Sequence, residues 1–208
     1  MSIRKPHVRN LARALIGAVA FAGSFVASAA EGGTLLHTMF QDHAVLQREQ
    51  PIRVFGRANT GEQVKLSFAG KRTTARTDAD GNWSATLPAM KAGGPYTLTA
   101  TSGATTQSVG DVMVGDVWLC SGQSNMELQV WRSLDARAEI AGANSDRIRL
   151  LTVPQNGAVT PQATFATPVK WATTTPETVR DFSAACYYFA RELQKTVDVP
   201  MGLINAAW

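Results

Sequence analysis

The residues best suited to chemistry lie in one segment, residues 115–128, with the sequence GDVWLCSGQSNMEL. Its apolar start, Val117–Cys120, predicts a short buried strand of a parallel sheet. Ser121 and Gly122 are small residues that favour a sharp turn, so Ser124 would lie just beyond the carboxyl end of that strand. Open α/β sheets bind their ligands at this edge. A serine hydroxyl placed there could act as a nucleophile.

The same serine also has a purely structural interpretation. Asn125, Met126 and Glu127 look like the first turn of a helix, and a serine at a helix start commonly caps it. The nucleophile elbow of α/β hydrolases has glycine two residues after the serine, whereas Met126 stands there in this chain. The residue pattern alone therefore leaves a nucleophile and a helix cap open.

The string GDVWLCSGQSNME resembles the first signature block of the sialate O-acetylesterase family, which belongs to the SGNH-type hydrolases. Three further stretches are similar to the family: HAVLQREQPIRVFG, DADGNWSATLPAMKAGGPYTL and FSAACYYFARELQ with the VPMGLINAAW end. The resemblance implies Ser124 as the nucleophile and as a backbone oxyanion donor, and Gln123 and Asn125 beside it as substrate-binding residues. The implied activity is hydrolysis of acetyl esters on sialic acid or on an acetylated polysaccharide, with no metal or other cofactor.

A serine hydrolase also needs a base, usually a histidine that is oriented by an acid. The chain has three histidines, and none of His7, His37 and His43 follows Ser124. The Asp-x-x-His segment and the later oxyanion blocks of the family match nothing in this chain. We therefore interpret the chain as the N-terminal portion of a longer esterase, inactive alone. Two alternatives are a non-catalytic carbohydrate-binding protein and a non-functional truncated remnant.

Residues 1–30 predict a secretory signal peptide, and hence a periplasmic or secreted protein. Four basic residues accompany the apolar run Ala14–Val26, which is short for a bilayer span, and small residues follow at Ala27–Ala30. The whole chain has 20 Lys and Arg against 16 Asp and Glu, and the segment carries four of the basic residues and no acidic one. The remainder is therefore neutral, which gives no support for a nucleic acid partner. No later stretch predicts a membrane span.

Residues 31–111 predict a small antiparallel β-sandwich. Apolar and polar residues alternate at Val64–Phe68, Trp83–Leu87 and Tyr96–Ala100, as in strands with one buried face. Turn signals separate these runs at Thr60-Gly61, Ala69-Gly70, Asp80-Gly81 and Gly93-Gly94-Pro95. We interpret His37 and His43 as structural residues and Trp83 as a core residue.

The resemblance implies that residues 112–208 form the first part of an SGNH-type, flavodoxin-like parallel α/β domain, so we expect the fold class of the chain to be α/β. Further parallel strands are expected at Arg147–Val153 and at Gly202–Trp208. Leu134–Ala143 predicts a short helix, and Phe182–Lys195 predicts a longer one with an apolar face that we interpret as core.

Three further expectations concern the same part of the chain. Asp181 is the expected N-cap of the longer helix. Prolines predict that Pro154–Arg180 is irregular around one strand at Val169–Ala172, as a loop that either lines a substrate cleft or faces solvent. Cys120 and Cys186 are expected to be buried free thiols, although an exported protein could pair them. No metal-ligand spacing is present.

Overall fold

The computed structural model describes residues 34–208 together with Met1, so the predicted signal peptide, apart from Met1, lies outside the described residues. The strands are β1 Val45–Gln47, β2 Ile52–Arg57, β3 Gln63–Phe68, β4 Lys71–Arg76, β5 Asn82–Leu87, β6 Gly93–Ser102, β7 Thr105–Gly122, β8 Ser145–Thr152, β9 Ala172–Thr174 and β10 Met201–Ala207. The helices are α1 Ser124–Glu127, α2 Ala136–Ala141, α3 Pro176–Arg180 and α4 Ala184–Gln194, with a 3-10 turn at Val130–Arg132. Within residues 34–208, no helix is long and apolar enough to cross a membrane.

One large sheet runs through the described part of the chain in the order β4-β3-β6-β7-β10-β8-β9, with β1 added parallel to β7. Strands β2 and β5 form a separate antiparallel pair. Strand β10 pairs in parallel with both β7 and β8, which confirms the two parallel strands expected after the serine segment. The mixed α/β class is confirmed.

The alternating runs of the first part form strands as predicted. The buried side chains of β3 and β6 share one core with those of β2 and β5, so the two-stranded sheet covers one face of the large sheet. Gly61, Gly70 and Gly81 have φ values near +77°, +76° and +77° at the predicted turns, where a residue with a side chain would be strained. The fourth turn signal is wrong, because Gly93-Gly94-Pro95 lies inside β6, where its register with β7 shifts.

Strand β7 is 18 residues long and joins the two predicted parts of the chain. It pairs antiparallel with β6 up to Val114 and then parallel with β10 from Asp116 onward. Gly115 lies at this change of partner, and a Cβ there would collide with the carbonyl of Pro200. One continuous strand therefore leads from the β-rich part to Ser124.

The stretch Pro154–Arg180 contains more regular structure than its prolines predict. Strand β9 pairs antiparallel with β8, and Pro176 occupies the first turn of α3 behind the capping residue Thr175. Proline is tolerated there because the first helical N–H groups have no partner within the helix. The prediction that Pro176 breaks regular structure is therefore wrong.

Helix α4 lies close to the predicted position, but its N-cap is Ser183 rather than Asp181, which caps the carboxyl end of α3. The Ser183 hydroxyl accepts a hydrogen bond from the Cys186 N–H at 3.2 Å. Phe182 and Cys186 are buried, whereas Phe189 is 44% exposed and packs edge-on against Trp118. The predicted apolar face is thus core at its start and partly solvent-exposed further along.

Candidate functional site

Strand β7 ends at Gly122, Gln123 follows as the N-cap, and Ser124 is the first residue of α1. The Gly122 carbonyl accepts a hydrogen bond from the Trp208 N–H at 2.9 Å, and Gly122 itself has φ of +152°. A Cβ at Gly122 would lie 3.3 Å from the Cβ of Met126, so glycine allows the tight turn. Ser124 therefore stands at the carboxyl edge of the parallel strands β7, β10 and β8, where open α/β sheets bind ligands.

The three predicted site residues lie side by side and face solvent. Gln123, Ser124 and Asn125 are exposed, and their side chains make no hydrogen bond with any residue that the structure describes. Gln123 rather than Ser124 occupies the N-cap position of α1, and no side chain caps this helix. The interpretation of Ser124 as a helix cap is therefore wrong, and its hydroxyl is available for other chemistry.

Backbone donors are also available at this turn. The N–H groups of Met126 and Glu127 both donate to the Gln123 carbonyl, at 2.8 and 3.1 Å. Within residues 34–208, the N–H groups of Ser124 and Asn125 have no acceptor. An oxyanion that forms on a carbonyl attacked by the Ser124 hydroxyl would lie within reach of such donors.

The turn that carries Ser124 is held by the start of α4. The Ser183 hydroxyl donates to the Met126 carbonyl at 2.5 Å, and the Ala184 N–H donates to the Leu128 carbonyl at 2.8 Å. Next along the chain, the Val130 N–H donates to the Phe182 carbonyl at 3.0 Å. These bonds fix the backbone on the carboxyl side of Ser124, because each joins α1 or its following loop to a second segment.

Cys120 and Cys186 form a disulfide, so the expectation of free thiols is wrong. Cys120 lies on β7 four residues before Ser124, and Cys186 lies in the first turn of α4. Their Cα atoms are 5.9 Å apart, within the usual range for a disulfide. The strand that ends at Ser124 and the helix that anchors the following turn are therefore covalently joined.

The two described histidines have structural partners. His37 forms a 3.1 Å hydrogen bond through Nε2 with the Ala163 carbonyl and packs against Phe55, with ring centroids 5.0 Å apart. His43 bonds the Asp111 carboxylate through Nδ1 at 2.6 Å. Neither histidine makes a hydrogen bond with Ser124, so neither is placed as its base. Within residues 34–208, no three His, Cys, Asp or Glu residues are grouped as metal ligands.

Two buried polar groups on elements next to the Ser124 turn were missed by sequence reasoning. The amide oxygens of Asn205, on β10, and of Gln129, after α1, are buried without a hydrogen bond partner among the described residues. Asn205 pairs in register with Cys120 and is 8% exposed. A buried amide oxygen without a partner costs about 1–3 kcal/mol. The only sequence feature that could have indicated this group is Asn205 itself, an asparagine in the otherwise apolar run GLINAAW.

No family model matches the chain. The sialate O-acetylesterases of Pongo abelii and Homo sapiens are each 34% identical to it over 160 residues, which cover 72% of this chain and 30% of theirs. The enzyme of Mus musculus is 30% identical over 80% of this chain and 34% of its own length. The chain thus spans about a third of the length of the curated relatives it matches.

A solved structure is also similar to this chain. The crystal structure of a carbohydrate acetylesterase from Xanthomonas citri matches with a TM-score of 0.81 and 40% identity, over 85% of this chain and 40% of that one. An alignment over 85% of this chain includes both the β-rich part and the segment that carries Ser124. The chain therefore belongs to the sialate O-acetylesterase family.

Proposed function

We propose that this chain carries the nucleophile of an exported carbohydrate O-acetylesterase. The observation that carries the proposal is the state of Ser124: an exposed hydroxyl without a partner among the described residues, at the carboxyl edge of parallel strands, next to unpaired backbone N–H groups. The similarity to sialate and carbohydrate acetylesterases supplies the reaction class. The substrate is an acetylated sialic acid or an acetylated polysaccharide.

In the proposed reaction, the Ser124 oxygen attacks the carbonyl carbon of the acetyl group while a histidine takes the serine proton. The carbonyl oxygen becomes an oxyanion that accepts a hydrogen bond from the Ser124 N–H. The histidine then protonates the departing sugar oxygen, and a water molecule releases acetate from the acetyl-serine. Gln123 and Asn125 flank the nucleophile with free amide groups and would contact the sugar.

The histidine and the aspartate that orients it are proposed to come from outside residues 34–208, since His37 and His43 are engaged elsewhere. We further propose that residues 31–111 form a β-domain, and that residues 112–208 form the first part of an SGNH-type domain, which is inactive without that histidine and aspartate. The Cys120–Cys186 disulfide supports export, because structural disulfides persist mainly in oxidising compartments.

The test is acetate release by the full translation product of the gene, with acetylated sialic acid and acetylated xylan as substrates. Ser124→Ala should lower the rate by at least about 10³-fold, since it removes the attacking group. Ser121→Ala is the matched control: it removes a neighbouring exposed hydroxyl that donates to the Ala206 carbonyl at 3.2 Å, and it should retain most of the activity. Undiminished turnover in Ser124→Ala would disprove the assignment.

A further inference from the structure

A cavity of about 760 Å³ lies beside the two-stranded sheet β2–β5. Residues of both strands line it together with His37, Asp78 and the segment at Ala163 and Thr164. No residue of β7 or α1 is part of its lining, so it is not the site built around Ser124. Its volume is in the range of pockets that hold small organic ligands.

Three arginines line this cavity, and each is held by a neutral acceptor. Arg53 donates through Nε to the Ser84 hydroxyl at 2.8 Å, and Arg57 donates to the Asp80 carbonyl at 2.8 Å. Arg76 donates through Nε to the Gly61 carbonyl at 3.1 Å. Within the described part of the chain, none of the three forms an ion pair. Each guanidinium is therefore positioned by one bond while its other N–H groups stay available for a ligand.

The one carboxylate of the lining, Asp78, is already occupied. It accepts hydrogen bonds from the backbone N–H groups of Asn82 at 2.8 Å and of Asp80 at 3.0 Å. The Asn82 N–H bond is the main reason why the pKa of Asp78 is lowered, and the nearby positive charge of Arg57 adds to this effect. At neutral pH the charged side chains of the lining therefore carry a net positive charge, which favours an anionic ligand.

An aromatic wall stands beside the arginines. Phe55 lies on β2 between Arg53 and Arg57, and the His37 ring packs against it at 5.0 Å. The hydrogen bond from His37 to the Ala163 carbonyl joins these rings to the lining segment at Ala163 and Thr164. Aromatic faces next to guanidinium groups suit a ligand that has both an apolar ring face and a carboxylate, because guanidinium groups pair carboxylates in a bidentate manner.

We propose that this cavity binds an acidic saccharide, with its carboxylates on Arg53, Arg57 and Arg76 and a sugar ring against Phe55 and His37. The preference for a saccharide over another anion rests on the proposed function. The carboxylate could belong to a uronate or to a sialate, and both have the required chemistry. A nucleic acid is a poorer fit, because residues 31–208 carry as many acidic as basic residues and present no general positive field.

The experiment is isothermal titration of the purified chain with two separate probes, trigalacturonate and N-acetylneuraminic acid. Neither probe needs to be acetylated, so binding can be observed even if the proposed esterase function fails. We expect at least one probe to bind, with an affinity that falls at least tenfold in Arg53→Gln and in Arg57→Gln. Arg180→Gln is the matched control, because it removes the same charge from a residue paired with Asp181, outside the cavity.

The two acidic probes distinguish a uronate from a sialate as the source of the carboxylate. Galactose, a neutral sugar, and a DNA oligonucleotide test whether the ligand is an acidic saccharide. Binding of galactose as tight as that of trigalacturonate would overturn the role of the arginines. Binding of DNA as tight as that of both acidic sugars would overturn the assignment to a saccharide. The proposed site itself would be overturned if neither acidic probe bound at millimolar concentration. It would also be overturned if Arg53→Gln, Arg57→Gln and the control Arg180→Gln lost affinity equally. Thermal melts of each variant separate lost binding from lost folding.

Discussion

Arg149 on β8 donates two hydrogen bonds, at 2.9 and 3.1 Å, to the carboxylate of Asp111 on β7. Arg149 is 1% exposed and is the largest fully buried side chain of the described residues, whereas Asp111 is partly open to solvent. His43 shares the same carboxylate, and Arg149 also donates to the Asp146 carbonyl. A buried guanidinium is tolerated only with such partners, so this pair joins the β-rich part of the sheet to its parallel part.

Removal of the Asp111 charge should destabilise the chain strongly. Asp111→Asn would leave Arg149 buried without a counter-charge, and we expect the free energy of unfolding to fall by about 3 kcal/mol, as measured by urea denaturation. Asp198→Asn is the control, since Asp198 is 88% exposed and pairs with Arg147 at the surface. That change should cost less than about 1 kcal/mol. Similar losses of unfolding free energy in both variants would contradict the prediction that burial of Arg149 makes its ion pair important for stability.

The same pair predicts a dependence of stability on pH. The hydrogen bond from Arg149, with a further contribution from His43, lowers the pKa of Asp111 in the folded protein. In the unfolded chain, the Asp111 carboxyl has the ordinary aspartate pKa of about 3.9. The stabilisation by Asp111 is therefore fully present above that pH and is lost as the pH falls through the lower, folded pKa.

The measurement is the free energy of unfolding of the wild type and of Asp111→Asn between pH 3 and pH 7. The difference between the two proteins should be constant above about pH 5 and should shrink below about pH 4. A difference that stays constant down to pH 3 would mean that protonation of Asp111 does not affect the contact with Arg149.

Periodicity predicted the strands with one buried face, because side-chain direction alternates strictly along a strand. Val64, Leu66 and Phe68 are buried on β3, as their spacing indicates. The continuity of β7 could not be predicted in the same way. The sequence patterns divide the chain between residues 111 and 112, yet this position lies within β7, as do Gly110 and Gly115. At Gly115 the reason is the close approach of Pro200, 85 residues later, which no local pattern records.

In the candidate site too, local sequence predicted some features, whereas contacts distant in sequence determine the others. The position of Ser124 followed from an apolar run that ends in small residues, and its chemistry followed from a resemblance. The contacts that hold it in place come from elsewhere in the chain: Ser183 is 57 residues from Met126, and Cys186 is 66 residues from Cys120. Local propensity cannot encode such distances, because they are fixed only when helix α4 packs on the sheet.

The disulfide should contribute substantially to stability. It closes a loop between residues 66 apart, for which the loss of unfolded-chain entropy corresponds to about 4 kcal/mol. We expect Cys120→Ser with Cys186→Ser to lower the free energy of unfolding by about 2–5 kcal/mol, as measured by guanidinium denaturation. The wild type under reducing conditions should match the double variant. A wild type that is as stable reduced as oxidised would contradict this prediction.

The last prediction concerns the free edge of β7. From Asp116 to Gly122 this strand pairs only with β10 among the described residues, and Leu119 on it is 69% exposed. An unpaired apolar strand edge favours association with other chains. We expect Leu119→Lys to reduce concentration-dependent association of the chain, as measured by light scattering, because a charge at such an edge opposes strand pairing.

The control for this prediction is Val159→Lys. Val159 is fully exposed in the segment between β8 and β9, so its replacement adds the same charge away from any strand. Thermal stability should change little in either variant, since neither side chain is buried. If both variants reduce association equally, net charge rather than the edge of β7 controls it. If only Leu119→Lys does so, the strand that leads to Ser124 is the surface through which chains associate.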